Sequence, residues 1–186
     1  MLMLFARRTR VLPGLKGLRQ KMKLRTMLLL LAGLLSSGAN AADCYDRAGH
    51  DYHVDPDLLR AISWQESSAT PDAIGKNPTT GYGIGLMQVD SQHLYALSSL
   101  GITKQQLLND HCMNIYTGAY YLAHAVKKYG YSWAAVGAYN AGFRQTEKQA
   151  LRRYHYARLV YAKYQAIKAY RSQKMQNANK NSRPIK

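Results

Sequence analysis

From residue 55 onward the apolar positions recur at helical spacing, and the pattern is broken at intervals by glycine and proline. Asp55-Pro56-Asp57 supplies an Asp N-cap, a proline at the first helical position and an acid in the first turn, so a helix is expected from there to about Ser67. Its apolar stripe is Leu58, Leu59 and Ile62. Glu66 follows Ile62 by four residues and therefore lies on that stripe, in the last turn before Pro71 stops the helix. Residues 72 to 90 lose the helical period: Asn77-Pro78, the alternating Gly81-Tyr82-Gly83-Ile84-Gly85 and then Leu86-Met87-Gln88-Val89 read as irregular chain or short strand. Helical spacing returns after Asp90-Ser91, with Leu94 and Leu97 in a short helix ended by Gly101, and Thr103-x-x-Gln106 is a capping box for another. Ile115, Ala119, Leu122, Val126 and Tyr129 mark a longer helix from Asn114 that stops at Gly130. Ser132 caps the next, carrying Trp133, Val136 and Tyr139 before Gly142, and a final helix is expected from about Thr146 to Tyr170. Beyond Arg171 the polar Ser-Gln-Lys-Asn composition reads as disordered. The pattern thus predicts a mostly α fold of the α+β kind, a single helical domain with one small glycine-rich loop or strand insert.

A length of 186 residues supports one such core with flanking segments. The chain carries 26 Lys+Arg against 10 Asp+Glu, but the excess is uneven. Residues 1 to 42 hold 8 basic residues and no acid, and residues 144 to 186 hold 12 with only Glu147 against them. The intervening body carries 6 basic and 9 acidic residues, a formal charge of −3, which argues against a nucleic-acid fold built around a positive face.

The first 42 residues have the tripartite pattern of a secretory signal: basic residues up to Arg25, the apolar run from Met27 to Leu35, and Ala39-Asn40-Ala41 as a small-residue cleavage site. The apolar run is shorter than the roughly 20 residues of a membrane span. Asp43 before Cys44 disfavours a lipoprotein. Met22 is an alternative start that would give the basic segment a conventional length. Export to a periplasm or equivalent oxidising compartment is therefore expected. There the only cysteines, Cys44 and Cys112, are expected to form a disulfide closing a loop of 68 residues. The chain-entropy model gives such a closure a stabilisation of about 4 kcal/mol. His50 and His53 lie near Cys44, but no closely spaced Cys pair accompanies them, so no metal site is expected.

Chemistry concentrates at Glu66, one of two glutamates in the chain. Burial on an apolar helix face and the negative end of the helix dipole both favour its protonated form, which suits a general acid. A buried glutamate serves equally often as a hydrogen-bonded structural group, so the flanking motifs have to decide. These are Ala61-Ile62-Ser63-Trp64-Gln65-Glu66-Ser67, Gly85-Leu86-Met87-Gln88-Val89, Asn114-Ile115-x-x-Gly118-x-x-Tyr121-Leu122 and Ala138-Tyr139-Asn140-Ala141-Gly142. In order and approximate spacing they resemble the lytic transglycosylases with a lysozyme-like soluble-lytic-transglycosylase (SLT) domain, over residues 43 to 165.

The resemblance implies a lysozyme-like fold, a cleft for peptidoglycan glycan strands, no cofactor, and Glu66 as the single catalytic acid/base. Cleavage between N-acetylmuramic acid and N-acetylglucosamine would leave a 1,6-anhydromuramyl end. It further implies that Ser67 orients Glu66 or the substrate, that Met87 and Gln88 line the cleft floor, that the Tyr139 hydroxyl approaches the acid, and that Asn140 contacts sugar. Asn114, Gly118 and Tyr121 are expected to be structural. One departure stands out: some secretion-associated relatives carry Asp just before the Ile-Gly of the second motif, and this chain has Gly83. That disfavours a mechanism with two carboxylates. The small size and early cysteine resemble the monomeric enzymes that accompany type III secretion, type IV secretion, conjugation or pilus machinery. A hydrolytic muramidase and a non-enzymatic wall-binding scaffold are the alternatives, and residues 166 to 186 are expected to form a basic, disordered tail.

Overall fold

The computed structural model describes residues 41–77 and 81–181. The secretory-signal reading falls almost wholly outside those residues, as does the last stretch of the tail. No described helix is long and apolar enough to cross a membrane.

Seven helices and one small sheet are described. α1 spans Ala41–Asp51, α2 Pro56–Ser67, α3 Leu94–Ser98, α4 Lys104–Asn109, α5 His111–Tyr129, α6 Trp133–Ala141 and α7 Glu147–Asn181. Strands β1 (Ile74–Asn77), β2 (Gly81–Ile84) and β3 (Val89–Asp90) form an antiparallel sheet in that order. Expected caps are in place: the Asp55 side chain accepts from Asp57 N at 2.8 Å, and both halves of the Thr103/Gln106 capping box form. α1 was not expected. It contributes Cys44, Tyr45 and Ala48 to the core, and the Cys44–Cys112 disulfide ties it to α5.

The core joins Leu59 and Ile62 of α2, Ile84, Leu86, Met87 and Val89 of the sheet region, Ile115, Ala119 and Leu122 of α5, and Tyr156 and Val160 of α7. α7 packs closely on α6, because a Cβ at Gly137 would stand 2.3 Å from the Arg153 carbonyl oxygen. Gly137→Ala should therefore force these helices apart and cost about 1–3 kcal/mol, measured as a lowered melting temperature.

The chain differs from expectation at its end, where α7 continues to Asn181 instead of giving way to disorder near Arg171. Residues 171 to 181 contain neither Gly nor Pro, so nothing local stops the helix. Tertiary contacts extend along it as well. Tyr164 donates to Asp55 Oδ2 at 2.6 Å, Arg171 bonds the buried Asp57, and Lys168 lies 3.6 Å from Asp57. These links fasten the middle of α7 to the N-terminus of α2. Glu66, at the other end of α2, thereby faces a fixed stretch of α7.

Candidate active site

Four elements meet at Glu66: the end of α2, the turn at 85–88, α6 and α7. α2 stops because Ser68 and Ala69 adopt left-handed backbone conformations, with φ of 54° and 58°. Gln88 in the turn is a third non-glycine residue of this kind, at φ 47°. Such conformations cost energy and persist where surrounding contacts impose them.

Those contacts are specific. The buried Asn114 side chain of α5 accepts from Met87 N at 2.8 Å and donates to Ile84 O at 2.8 Å and Leu107 O at 3.0 Å. It fixes the turn from beneath. Gly85 has φ +69°, and a Cβ there would meet Asn114 Nδ2 at 2.3 Å, so glycine meets both a conformational and a spatial demand. From α2, Ser67 Oγ lies 2.8 Å from Leu86 O and donates to it. From α6, the Tyr139 hydroxyl donates to Met87 O at 2.7 Å.

Glu66 itself is half-buried. Tyr156 of α7, buried in the core, donates its hydroxyl proton to Glu66 Oε1 at 2.5 Å. Burial pushes the Glu66 carboxyl up to about 7, and the Tyr156 hydrogen bond opposes this by favouring the carboxylate. Desolvation therefore outweighs the hydrogen bond. Burial also raises Tyr139 and Tyr156 well above the usual tyrosine range, with the nearby Glu66 charge adding to it. Both phenols stay protonated. Among the described residues no group of His, Cys, Asp or Glu is arranged to hold a metal.

The residues singled out in the sequence fall into two groups. Asn140 is exposed at the edge of a groove that also contains Tyr156, and Gln88 is half-buried. Gln88 donates through Nε2 to Ala73 O at 3.1 Å and Gly85 O at 2.8 Å, so its amide hydrogens hold backbone. Ser67, Met87 and Tyr139 pack around the turn. Met87 is fully buried and packs against Gly118. Ser67 is bonded to the turn, and the Tyr139 hydroxyl donates to the Met87 carbonyl with the Glu66 charge nearby. All three build the wall that holds Glu66 beside the turn.

Tyr156 is the tyrosine that touches the acid, and the sequence reading passed over it. The signal was present: Arg153, Tyr156, Ala157 and Val160 are buried at the i, i+3, i+4, i+7 positions of α7. The leading arginine disguised the stripe. In the fold its guanidinium donates to Gly142 O at 3.2 Å and Arg144 O at 2.9 Å, so it is satisfied by the α6–α7 loop.

Gly83 also acquires a reason. It pairs with Gly75 across β1 and β2, and a Cβ at either position would lie 2.2–2.4 Å from Gln88 Oε1. The glycine pair leaves the space in which Gln88 lies over the sheet. A carboxylate at position 83 would compete for that space.

Residues 43–165 match the family described as the transglycosylase SLT domain. An X polypeptide of Escherichia coli is 60% identical over 143 residues, covering 77% of this chain and 85% of that protein. Invasion protein IagB of Salmonella typhimurium is 40% identical over 140 residues, covering 75% of this chain and 86% of that one. In fold, the chain is similar to an inactive mutant of the lytic transglycosylase Slt from Pseudomonas aeruginosa, with a TM-score of 0.53 and 20% identity, covering 80% of this chain and 28% of that larger one.

Proposed function

The chain belongs to the transglycosylase SLT domain family, and as such is a peptidoglycan lytic transglycosylase; on that premise we propose that it cleaves the β-1,4 bond between N-acetylmuramic acid and N-acetylglucosamine and leaves a 1,6-anhydromuramyl end. The observation that carries this reading is Glu66, half-buried, raised to about 7 by burial, and held by the Tyr156 hydroxyl.

A carboxyl group with that pKa is substantially protonated at neutral pH, as a general acid must be. Because Oε1 accepts from Tyr156, the acid proton resides on Oε2, free to meet a glycosidic oxygen. Glu66 gives this proton to the leaving oxygen as the bond to muramyl C1 breaks, with the muramyl acetamido oxygen assisting at C1. The carboxylate then takes the proton from the C6 hydroxyl of the same sugar as O6 closes on C1. Glu66 ends protonated, as it began, and no water is consumed. Attack by a hydroxyl of the same sugar that loses its leaving group has the entropic advantage of an intramolecular reaction.

The product distinguishes this from hydrolysis. In water enriched in heavy oxygen, a hydrolase places the label on C1 of every new muramyl end, whereas this mechanism places none. Labelled ends from the purified protein would contradict it.

The pH dependence is also specified. Cleavage should decline above about pH 7 as Glu66 loses its proton, by about tenfold per unit. Tyr156→Phe removes the hydrogen bond that lowers the pKa, so the declining limb should move to higher pH by about half a unit to one unit. The maximal rate should fall as well, because Oε1 loses its anchor. A limb that moves to lower pH in a profile of kcat/KM would contradict this account.

Export through the N-terminal signal, with cleavage after Ala41, would bring the enzyme to its substrate as a monomer in the periplasm. Local opening of the wall for an envelope-spanning secretion, conjugation or pilus apparatus suits the small single domain. The 40% identity to an invasion protein supports that placement.

A further inference from the structure

The surface beside Glu66 does not end at Tyr156. An open groove of about 340 Å³ runs from Asn140 and Tyr156 along α7 past Arg152, His155 and Leu159. A second hollow, of about 330 Å³, shares His155 and Leu159 with it and extends past Arg158 to Ala162. Arg152, His155 and Arg158 succeed one another at intervals of three residues, and all three are exposed.

Among the described residues no acid is ion-paired with this face. Glu147 is the only acid anywhere in α7. The ion pairs among the described residues use His50, Arg60, Lys168 and Arg171, and neither Arg152 nor Arg158. Arg158 lies over the Tyr154 ring, 5.8 Å from its centroid, which steadies the guanidinium while leaving its donors available. Tyr156, whose hydroxyl bonds Glu66, is also one of the residues lining the groove, so one side chain connects the groove to the acid.

A peptidoglycan strand offers one such group. Its muramyl sugar, whose C1 reacts at Glu66, bears a peptide amide-linked to the carboxyl of its lactyl group, and that peptide carries carboxylates. We propose that the groove receives the peptide stem of the muramyl residue and that Arg152 and Arg158 bind its carboxylates, so that the enzyme selects peptide-bearing strands over denuded ones. The inference rests on the substrate assigned above. The exposed Leu159, which lines both hollows, offers apolar contact to the stem, and the guanidinium fork suits a carboxylate.

The test separates the groove from the chemistry. Glu66→Gln serves as the parent, so that binding is read without turnover. Glycan strands are prepared with stems intact and, from the same batch, with stems removed by an amidase. The parent should bind intact strands about tenfold more tightly, the yield of two exposed charge pairs, and added salt should shrink the difference. Introducing Arg152→Gln and Arg158→Gln together should bring the two affinities to within about twofold of each other, and Arg→Lys at both sites should restore part of the gap. Equal affinities in the parent, or a gap that survives both glutamines, would overturn the proposal. Failure of the wild type to release anhydro ends would refute the assigned reaction instead, and the binding comparison would still stand or fall by itself.

Discussion

Glu66→Gln is expected to make the protein inactive and, above neutral pH, more stable. The loss of cleavage should be about 10³-fold or more, because an amide can neither donate the acid's proton nor take one from the C6 hydroxyl. The gain in stability follows from the pKa. In the unfolded chain Glu66 ionises near its ordinary value of 4.5, whereas in the fold burial holds the proton until about 7. As pH rises across that window the unfolded state releases the proton first, so wild-type stability falls. Glutamine does not titrate. The two proteins should therefore be similarly stable below about pH 4, diverge through the window, and differ by a constant amount of up to about 3 kcal/mol above pH 7. The Tyr156 hydroxyl can still donate to the amide oxygen, so the geometry survives. Chemical unfolding at pH 4 and at pH 8 measures both limits. A variant no more stable than wild type at pH 8 would mean that Glu66 is not held against its ionisation.

Asn114→Ala should have the largest effect on folding. One fully buried amide satisfies three backbone groups in buried stretches: Met87 N, Ile84 O and Leu107 O. Alanine leaves all three without that partner and opens a cavity beneath the turn. At about 1–3 kcal/mol for each unsatisfied group, moderated by relaxation, a loss of about 3–5 kcal/mol is expected. For a domain of this size that lowers the melting temperature by about 10 °C or more. Asn114→Asp is a sharper probe, since it keeps the shape but turns a carboxylate oxygen toward two carbonyls. It should be at least as damaging at neutral pH. Because Met87 O also receives the Tyr139 hydroxyl, cleavage by either variant should fall even below its melting temperature. Retention of full activity and stability by Asn114→Ala would remove the turn's attachment to α5 from the account.

Much of this architecture was legible because it rests on local physical signals. Asp55-Pro56 announces α2, Thr103-x-x-Gln106 announces α4, and the glycine alternation at 81–85 announces the sheet that interrupts the described helices. Glu66 stood out as the candidate acid because it lies in the first of four motifs that share one order and spacing. The rest depended on tertiary partners that no window of sequence contains. α1 is short and held by Cys44, Tyr45 and Ala48, too few apolar positions to define a stripe. The middle of α7 is secured by Arg171 and Lys168 reaching an acid more than 100 residues earlier. Met87 and Tyr139 carry the right motif, but only the fold reveals that one is buried and that the other bonds its carbonyl. Tyr156 stood among 15 tyrosines with a charged residue heading its buried stripe.

The measurement that bears most directly on the account is the mass of the muropeptides released from purified peptidoglycan by the mature protein, run beside Glu66→Gln. The account predicts 1,6-anhydromuramyl ends from the wild type and none from the variant. Reducing ends from the wild type, the same products from both proteins, or wall binding without product from either would contradict it.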